Sequence, residues 1–249
     1  MKAIQLTDTH IYGNPDTLLA GVNTRDTFSH VLNNVARESN IKLLILTGDI
    51  SMDGSAASYA WVQKQLDDLG VRYFVIPGNH DVIGNWDSRF GRREEFFPFF
   101  QDYGNWRFVF LNTQSLGNEF GEMSSVSIQK LSNILTTTKA SYSALFMHHP
   151  PFRIGCDWID KIGLADGRVD FLNLVKSHAS LRLIVAGHVH QESDLCKNGY
   201  KFVTSPSTCV QFAPGADEFK IGLESPGYRI FNFSDDGRVD TEVKRVPLE

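Results

Sequence analysis

Five apolar segments of this sequence are each followed, within a few residues, by side chains that can bind a metal ion. Carboxylate, imidazole and amide groups suit Mn, Fe, Zn and similar divalent ions rather than copper(I) or an iron–sulfur cluster. Any one of these groups would also fit a polar turn or a helix cap. In chain order they are Asp8 with His10, Asp49, Asn79 with His80 and Asp81, His148 with His149, and His188 with His190. Their repetition favours a metal site over five unrelated turns.

Seven of these side chains are too many for one tetrahedral site, and they suit two ions that share a carboxylate. Two ions about 3.5–4 Å apart can hold a phosphate for in-line displacement at phosphorus. A water bridging such ions loses its proton near neutral pH, and the ions neutralise charge on the attacked phosphate. The seven are Asp8, His10, Asp49, Asn79, His148, His188 and His190. This ligand set predicts a phosphoester-cleaving enzyme.

Short buried strands are predicted to position these residues. They are AIQL (3–6), LLIL (43–46), RYFVI (72–76), ALFM (144–147) and LIVA (183–186). Helical spacing between the first strands, in a helix capped by Thr24 and another ended by Gly70, predicts an α/β domain with partly parallel strands. In such sheets, ligands bind outside the carboxyl ends of the strands, where all five groups stand. If the chain after Gly187 stays extended, His188 and His190 point the same way.

The final part of the chain, from about residue 200 to 249, reads as strands separated by turns, with no helix between them. It predicts additional antiparallel strands on the α/β part. No stretch of linker composition divides the chain, so we expect one domain over residues 1–249.

Composition excludes several classes of protein. The net charge of −5 and pI near 5.9 give no electrostatic footprint for a nucleic acid. No apolar stretch reaches the roughly 20 residues of a membrane span, and no signal peptide is recognisable. The three scattered cysteines form no CxxC pair, which fits a reducing compartment. We therefore expect a cytoplasmic protein that binds neither nucleic acid nor membrane.

The motifs DTH, GD, GNHD, HHP and GHVH, in this order from Asp8 to His190, resemble those of the calcineurin-like metallophosphoesterases. A narrower resemblance is to the bacterial class III 3′,5′-cyclic AMP phosphodiesterases. It rests on GVNT (21–24), CDWID (156–160), GHVHQE, TSPSTCVQF (204–212) and SPGYR (225–229). Several of these segments lie outside the metal motifs.

The resemblance implies a four-layered α/β/β/α sandwich with two mixed β-sheets flanked by helices. It implies two divalent ions, Fe and/or Mn, with Zn or Co as alternatives. The expected ligands are Asp8, His10 and His190 for the first ion, Asn79, His148 and His188 for the second, and Asp49 between them. His80 is expected to act near the leaving-group oxygen, and the substrate to contact Asn79, His80 and His190.

Two adjacent histidines compete for one ligand position. The family pattern His-x-Pro selects His148, and a one-residue step reverses the side-chain direction if the strand continues. His149 is then expected to support the site or to pack in the core.

The expected activity is hydrolysis of 3′,5′-cyclic AMP to 5′-AMP by in-line attack of a metal-bridging hydroxide. The same metal ligands would also serve a phosphodiesterase for another diester, such as a glycerophosphodiester or a nucleotide pyrophosphate. The loop 153–166 and the tail segment 204–212 would distinguish these substrates, because they are expected to form the pocket. A catalytically silent scaffold should show a damaged ligand set, and here every position is filled.

Overall fold

The computed structural model of the chain describes residues 1–91, 97–197 and 199–248, and in them thirteen strands and six helices follow one another. The strands are β1 (Lys2–Leu6), β2 (Ile41–Thr47), β3 (Tyr73–Ile76), β4 (Phe99–Tyr103), β5 (Trp106–Phe110), β6 (Gly121–Glu122), β7 (Tyr142–Phe146), β8 (Leu164–Asp166), β9 (Leu181–Ala186), β10 (Ser193–Lys197), β11 (Tyr200–Thr204), β12 (Gly227–Phe233) and β13 (Val239–Arg245). The helices are α1 (Thr24–Val35), α2 (Ala56–Asp68), α3 (Ile83–Phe90), α4 (Ser125–Thr136), α5 (Asp157–Asp160) and α6 (Arg168–Ser177). None of these helices combines the length and the apolar character needed to cross a bilayer.

Two large mixed sheets contain most of the strands. One has the order β13-β12-β1-β2-β3, and the other has the order β10-β11-β9-β7-β5-β4. The strands that precede the five polar groups are parallel to one another within each sheet: β1 with β2, β2 with β3, and β7 with β9. Their carboxyl ends therefore share one edge within each sheet, as the sequence predicts.

The alternation of side chains along the strands builds the layers. On the second sheet, Phe108, Phe110 and Phe146 face a core cluster shared with the first sheet and with α1 and α2. Their neighbours Val109 and Leu145 face the opposite way, into a second cluster with apolar residues of α4 and α6. Both faces of the strands are thus buried, which is why the strands read as continuous apolar runs. The predicted α/β/β/α layering is confirmed.

Helix α1 is tied directly to the loop that follows β1. Its cap is Asn23, whose side chain accepts hydrogen bonds from the backbone N–H groups of Arg25 and Asp26, so the prediction of Thr24 as the cap is wrong by one residue. Thr24 is the first helical residue, and its hydroxyl donates to the carbonyl oxygen of His10 at 3.0 Å. The helix start therefore supports a metal-binding loop as well as the core.

The C-terminal strands divide between the two sheets. Strands β12 and β13 pair antiparallel and extend the first sheet beside β1, as predicted. Strand β11 is instead parallel to β9 in the second sheet, where β10 pairs with it antiparallel. The prediction of antiparallel strands therefore holds for β11 beside β10 and is wrong for β11 beside β9. Residue 249, the end of the predicted β-rich part, lies outside the described residues.

Candidate metal centre

The loops after β1, β2, β3, β7 and β9 meet where the carboxyl ends of the two sheets come together. Backbone contacts join the loops across the sheets: the N–H of His188 donates to both carboxylate oxygens of Asp8, at 3.1 and 3.0 Å. Nδ1 of His148 lies 2.7 Å from the carbonyl oxygen of Thr47. The predicted site residues are therefore assembled in one place, and most of them are buried.

A first group of ligand atoms comes from Asp8, His10 and His190. Nε2 of His10 lies 3.1 Å from Nε2 of His190, and Nε2 of His190 lies 3.5 Å from Oδ1 of Asp8. All three side chains are nearly inaccessible to solvent. Three donor atoms that converge on one buried point are the arrangement expected around a divalent cation.

A second group lies beside the first. Nε2 of His148 is 3.1 Å from Oδ1 of Asn79, and the ring centroids of His148 and His188 are 5.1 Å apart. Ligand nitrogens of His148, His149 and His188 lie within 4.8 Å of one another. This group therefore contains the three residues expected at the second ion, together with His149.

Asp49 lies between the two groups. Its Oδ2 atom is 3.6 Å from Nε2 of His10 and 3.4 Å from Nε2 of His148. Its Oδ1 atom accepts a hydrogen bond from the backbone N–H of His80 at 2.9 Å. One carboxylate oxygen thus approaches both groups while the other orients the side chain, which is the placement a bridging ligand requires.

Hydrogen bonds at Nδ1 determine which nitrogen of two histidines can bind a metal. Nδ1 of His148 lies 2.7 Å from the Thr47 carbonyl oxygen, and Nδ1 of His190 lies 2.7 Å from that of Val210. A carbonyl oxygen only accepts, so each Nδ1 is the donor. In the neutral ring, Nε2 then has a free lone pair directed into the site, as is usual for metal-binding histidines.

The backbone of the ligand loops adopts the left-handed region to an unusual extent. Seven non-glycine residues among those described have positive φ angles. Five of them are expected ligands, with φ between 46° and 71°: Asp8, His10, Asp49, His188 and His190. Such conformations cost free energy in residues other than glycine, and they cluster at functional sites.

The same feature overturns one prediction. After Ala186 the chain does not stay extended, because both His188 and His190 are left-handed. His188 packs near the rings of His148 and His149, while His190 faces His10. The two histidines of GHVH therefore lie in different groups, and the prediction that they point the same way is wrong.

Burial and charge prepare the donor atoms for a metal. Burial alone would raise the pKa of Asp8 and Asp49, but His190 and His148 respectively keep both carboxylates below their ordinary values. Burial lowers the pKa of His10 and of His188 to about 3, so both rings are neutral at pH 7. Against burial, Asp49 raises the pKa of His148 to about 9. A cation would replace that proton.

The donor set fits two divalent ions. Nε2 of His188 is buried and has no hydrogen-bond partner among the described residues, although an unpaired buried polar atom is costly. A positive ion would satisfy this nitrogen and would separate the two Nε2 atoms of His10 and His190, which now face each other. Nitrogen and oxygen donors of this kind suit Mn, Fe, Zn or Co.

Asp81 anchors the GNHD loop that presents Asn79 and His80. Its carboxylate accepts hydrogen bonds from the backbone N–H groups of Gly78, Ile50 and Ser51 and from the Tyr59 hydroxyl. These donors join Asp81 to the loop after β2 and to α2, so the carboxylate holds the GNHD loop in place. His80 is less buried, and its ring lies against that of His10 at a centroid distance of 5.0 Å.

His149 is buried beside the second group. Strand β7 ends at Phe146, so the predicted reversal of side-chain direction at His149 does not apply. Nδ1 of His149 lies 2.8 Å from the Thr113 hydroxyl, and its ring centroid is 4.8 Å from that of His188. A supporting role for His149 stays a prediction.

Several residues of the site have no local signal in the sequence. The carbonyl oxygens of Thr47 and Val210 orient ligands through the backbone, which no side-chain motif indicates. Phe212 stacks on His190, with 4.0 Å between ring centroids and 10° between ring planes. Val210 and Phe212 lie in the tail segment 204–212, which we expect from the sequence to form part of the pocket.

Comparisons with known proteins agree with this geometry. Residues 1–192 match the family described as Calcineurin-like phosphoesterase. The chain is 34% identical over 244 residues to the 3′,5′-cyclic adenosine monophosphate phosphodiesterase CpdA of Pseudomonas aeruginosa, covering 98% of this chain and 89% of that protein. It is 32% identical to the CpdA protein of Vibrio vulnificus, covering 99% and 90%. Among solved structures, a dimetal phosphatase from Danio rerio superposes with a TM-score of 0.71 at 17% identity, covering 99% of both chains.

The chain belongs to the calcineurin-like phosphoesterase family. It is a phosphoester hydrolase by family, and its fold is that of solved metallophosphoesterases. The resemblance stated from the sequence motifs is therefore confirmed at the level of the family and the fold.

Proposed function

We propose that this protein hydrolyses 3′,5′-cyclic AMP to 5′-AMP with two divalent metal ions. The observation that supports two ions is the position of Asp49, whose Oδ2 atom lies within 3.6 Å of an imidazole nitrogen from each ligand group. The substrate is supported by relatives that align over nearly the whole chain and are named for this activity.

The proposed metal ligands are those that the resemblance implies. Asp8, His10 and His190 would hold one ion, Asn79, His148 and His188 the other, and Asp49 would contact both. When bound, such ions make a water nucleophilic near neutral pH and neutralise negative charge on the phosphate. The two expected ions are Fe and/or Mn, with Zn or Co as alternatives.

The protein residues would orient the diester and assist the leaving group. Asn79, His80 and His190 line the cleft beside Asp49, where they can contact the phosphate. In the proposed step, a water would lose a proton to solvent and its oxygen would bond to phosphorus as the bond from phosphorus to the 3′ oxygen breaks. His80, the most accessible of the imidazoles near Asp49, would donate a proton to that departing oxygen.

The test is product analysis with the purified, Mn-loaded protein. We expect 5′-AMP from 3′,5′-cyclic AMP, and no product after chelation or in an Asp49→Ala protein. Metal-dependent cleavage of bis(4-nitrophenyl) phosphate without turnover of cyclic AMP would retain the metal mechanism and reject this substrate. Inertness towards both compounds, with two ions per chain measured by elemental analysis, would reject the enzyme function.

We also propose that residues 1–249 form one domain. One continuous core cluster contains residues of both sheets, which supports a single cooperative unit. Urea unfolding followed by tryptophan fluorescence and by far-UV circular dichroism should then give coincident transitions, and separated transitions would reject the proposal. The cytoplasmic location remains a prediction, supported by three cysteines that are free thiols.

A further inference from the structure

Three aromatic side chains form one side of the cleft that contains the metal ligands. Trp158 comes from α5, and Phe212 and Phe219 come from the segment between β11 and β12. We call these three residues the aromatic wall. None of them is needed to hold a metal, so their presence beside the ligand groups requires another explanation.

The rings of the aromatic wall pack edge to face. The ring centroid of Trp158 lies 4.9 Å from that of Phe212 and 5.3 Å from that of Phe219, with interplanar angles of 71° and 79°. Phe212 in turn stacks on the ring of His190 at 4.0 Å. The aromatic wall therefore begins in van der Waals contact with an expected metal ligand, and a molecule bound at the metals would lie next to it.

The aromatic wall presents an open ring to the cleft. Phe219 is 62% exposed, although it lies beside a cleft where it could be covered. An aromatic ring left open is a cost that a bound flat ring would remove.

The segments that carry the aromatic wall are held in place before any ligand binds. Phe212 pairs with Ile221 in an isolated bridge, and the N–H of Ala213 donates to the carbonyl oxygen of Lys220 at 2.8 Å. Sγ of Cys156 lies 3.3 Å from the carbonyl oxygen of Ala216, which joins this turn to the start of α5. A preformed surface loses little entropy on binding, as expected for a binding site.

Helix α5 is fixed from its other side by Asp160. The Asp160 carboxylate accepts hydrogen bonds from the backbone N–H groups of Ile154 and Gly155, at 2.7 and 3.0 Å. Ile159, in the same helix, packs with Cys156 and Val189 in a small buried cluster. Trp158 is therefore presented by a constrained turn of helix rather than by a loose loop.

We propose that the aromatic wall binds the base of the nucleotide substrate by stacking and apolar contact. This inference rests on the proposed function, because it places the phosphate at the metal ligands and the base beyond the ribose. A flat, uncharged heteroaromatic ring such as adenine can contact the open face of Phe219. Diesters without a base would leave the aromatic wall unused.

Equilibrium binding of two products tests this without requiring turnover. The Mn-loaded protein is titrated with 5′-AMP and with ribose 5-phosphate, which has the same phosphate and sugar but no base. We expect 5′-AMP to bind roughly tenfold or more tightly, because stacking of one base on aromatic side chains gives effects of this size. Equal affinities of the wild-type protein for the two compounds would overturn the proposal.

Two substitutions locate the effect. Trp158→Leu and Phe219→Leu each keep apolar bulk but remove a flat aromatic face. Each should weaken 5′-AMP binding roughly fivefold and leave ribose 5-phosphate unchanged. Phe100→Leu is the matched control, since Phe100 is a 45% exposed phenylalanine on β4 that does not line the cleft. If the wall variants behave like this control, the aromatic wall does not bind the base.

Binding and turnover measured on the wild-type protein separate this proposal from the proposed function. A wild-type protein that fails to turn over cyclic AMP but still prefers 5′-AMP over ribose 5-phosphate would reject the activity and retain the base site. Turnover of cyclic AMP without a preference for 5′-AMP over ribose 5-phosphate would retain the activity and reject the base site. In a protein with both properties, Trp158→Leu should raise KM for cyclic AMP with little change in kcat, which is the signature of lost uniform binding.

Discussion

Oδ2 of Asp49 lies 3.4 Å from Nε2 of His148, and the backbone of each residue is fixed by a different sheet. The two sheets therefore have to be correctly packed for the two ligand groups to share this carboxylate. At the proposed metal site, metal binding would therefore be coupled to the packing of the two sheets.

Replacing Asp49 by Asn should separate charge from shape at the shared position. The amide has the same size, but it cannot offer a negative oxygen to both ligand groups. We expect metal-dependent hydrolysis to fall by about two orders of magnitude or more, with fewer ions bound per chain. Elemental analysis and initial rates check this, and a variant that binds two ions and remains active would contradict the bridging role.

Replacing Asp81 by Asn should damage the site without touching a metal ligand. The carboxylate accepts from three backbone N–H groups and from the Tyr59 hydroxyl, and an amide NH2 group cannot accept in the same places. We expect a loss of about 1–3 kcal/mol in the free energy of unfolding and a lower kcat. Tyr59→Phe, which removes one of these donors, should reduce kcat less. Equal kcat values for the two variants would argue against Asp81 as the loop anchor.

Replacing Gly78 by Ala should disturb the shared carboxylate sterically. A Cβ atom at this position would overlap the carboxylate of Asp49 and would lie 2.8 Å from Cε1 of His148. We expect strong loss of metal binding in a titration of the chelator-treated protein. Gly84→Ala is the matched control, because nothing lies within 4 Å of its added Cβ and it is helical. That control should bind metal normally and be more stable by roughly 0.5 kcal/mol.

Acid should destabilise the metal-free protein below pH 6.5. The pKa values of His10 and His188 are about 3 in the folded protein against 6.5 as ordinary values, with burial as the main cause. Between these limits only the unfolded chain takes up the protons, so stability falls as pH falls. At pH 5 the loss is roughly 2 kcal/mol for each imidazole.

The stability that His148 contributes changes with pH in the opposite direction. Its folded pKa of about 9 means that its contribution is complete below pH 6.5 and is lost as the pH rises through 9. Urea denaturation of the chelator-treated protein should therefore show maximal stability near pH 6.5, with a decline on both sides. A stability that stays constant between pH 7 and pH 5 would show that these imidazoles are not buried in their neutral form.

Much of the fold could be predicted because local pattern and tertiary role agree in its central strands. Residues 43–46 and 183–186 lie in parallel strands with both faces covered, so they read as unbroken apolar runs. Several elements that we did not predict have weaker patterns. Among them, α3 contains Gly84, β4 follows Pro98, and β10 is a strand at the sheet edge. Short or edge elements depend more on their neighbours than on their own composition.

Residue types alone indicate which metal-binding groups are present and where along the chain they follow the strands, because carboxylate, imidazole and amide groups keep their metal preference in any context. How His188 and His190 divide between two groups depends on the packed chain, since their left-handed backbone is held by contacts such as the one from His188 N–H to Asp8. The aromatic wall likewise joins Trp158 to Phe219 across distant segments. Such juxtapositions depend on how the layers pack, and no local pattern encodes that packing.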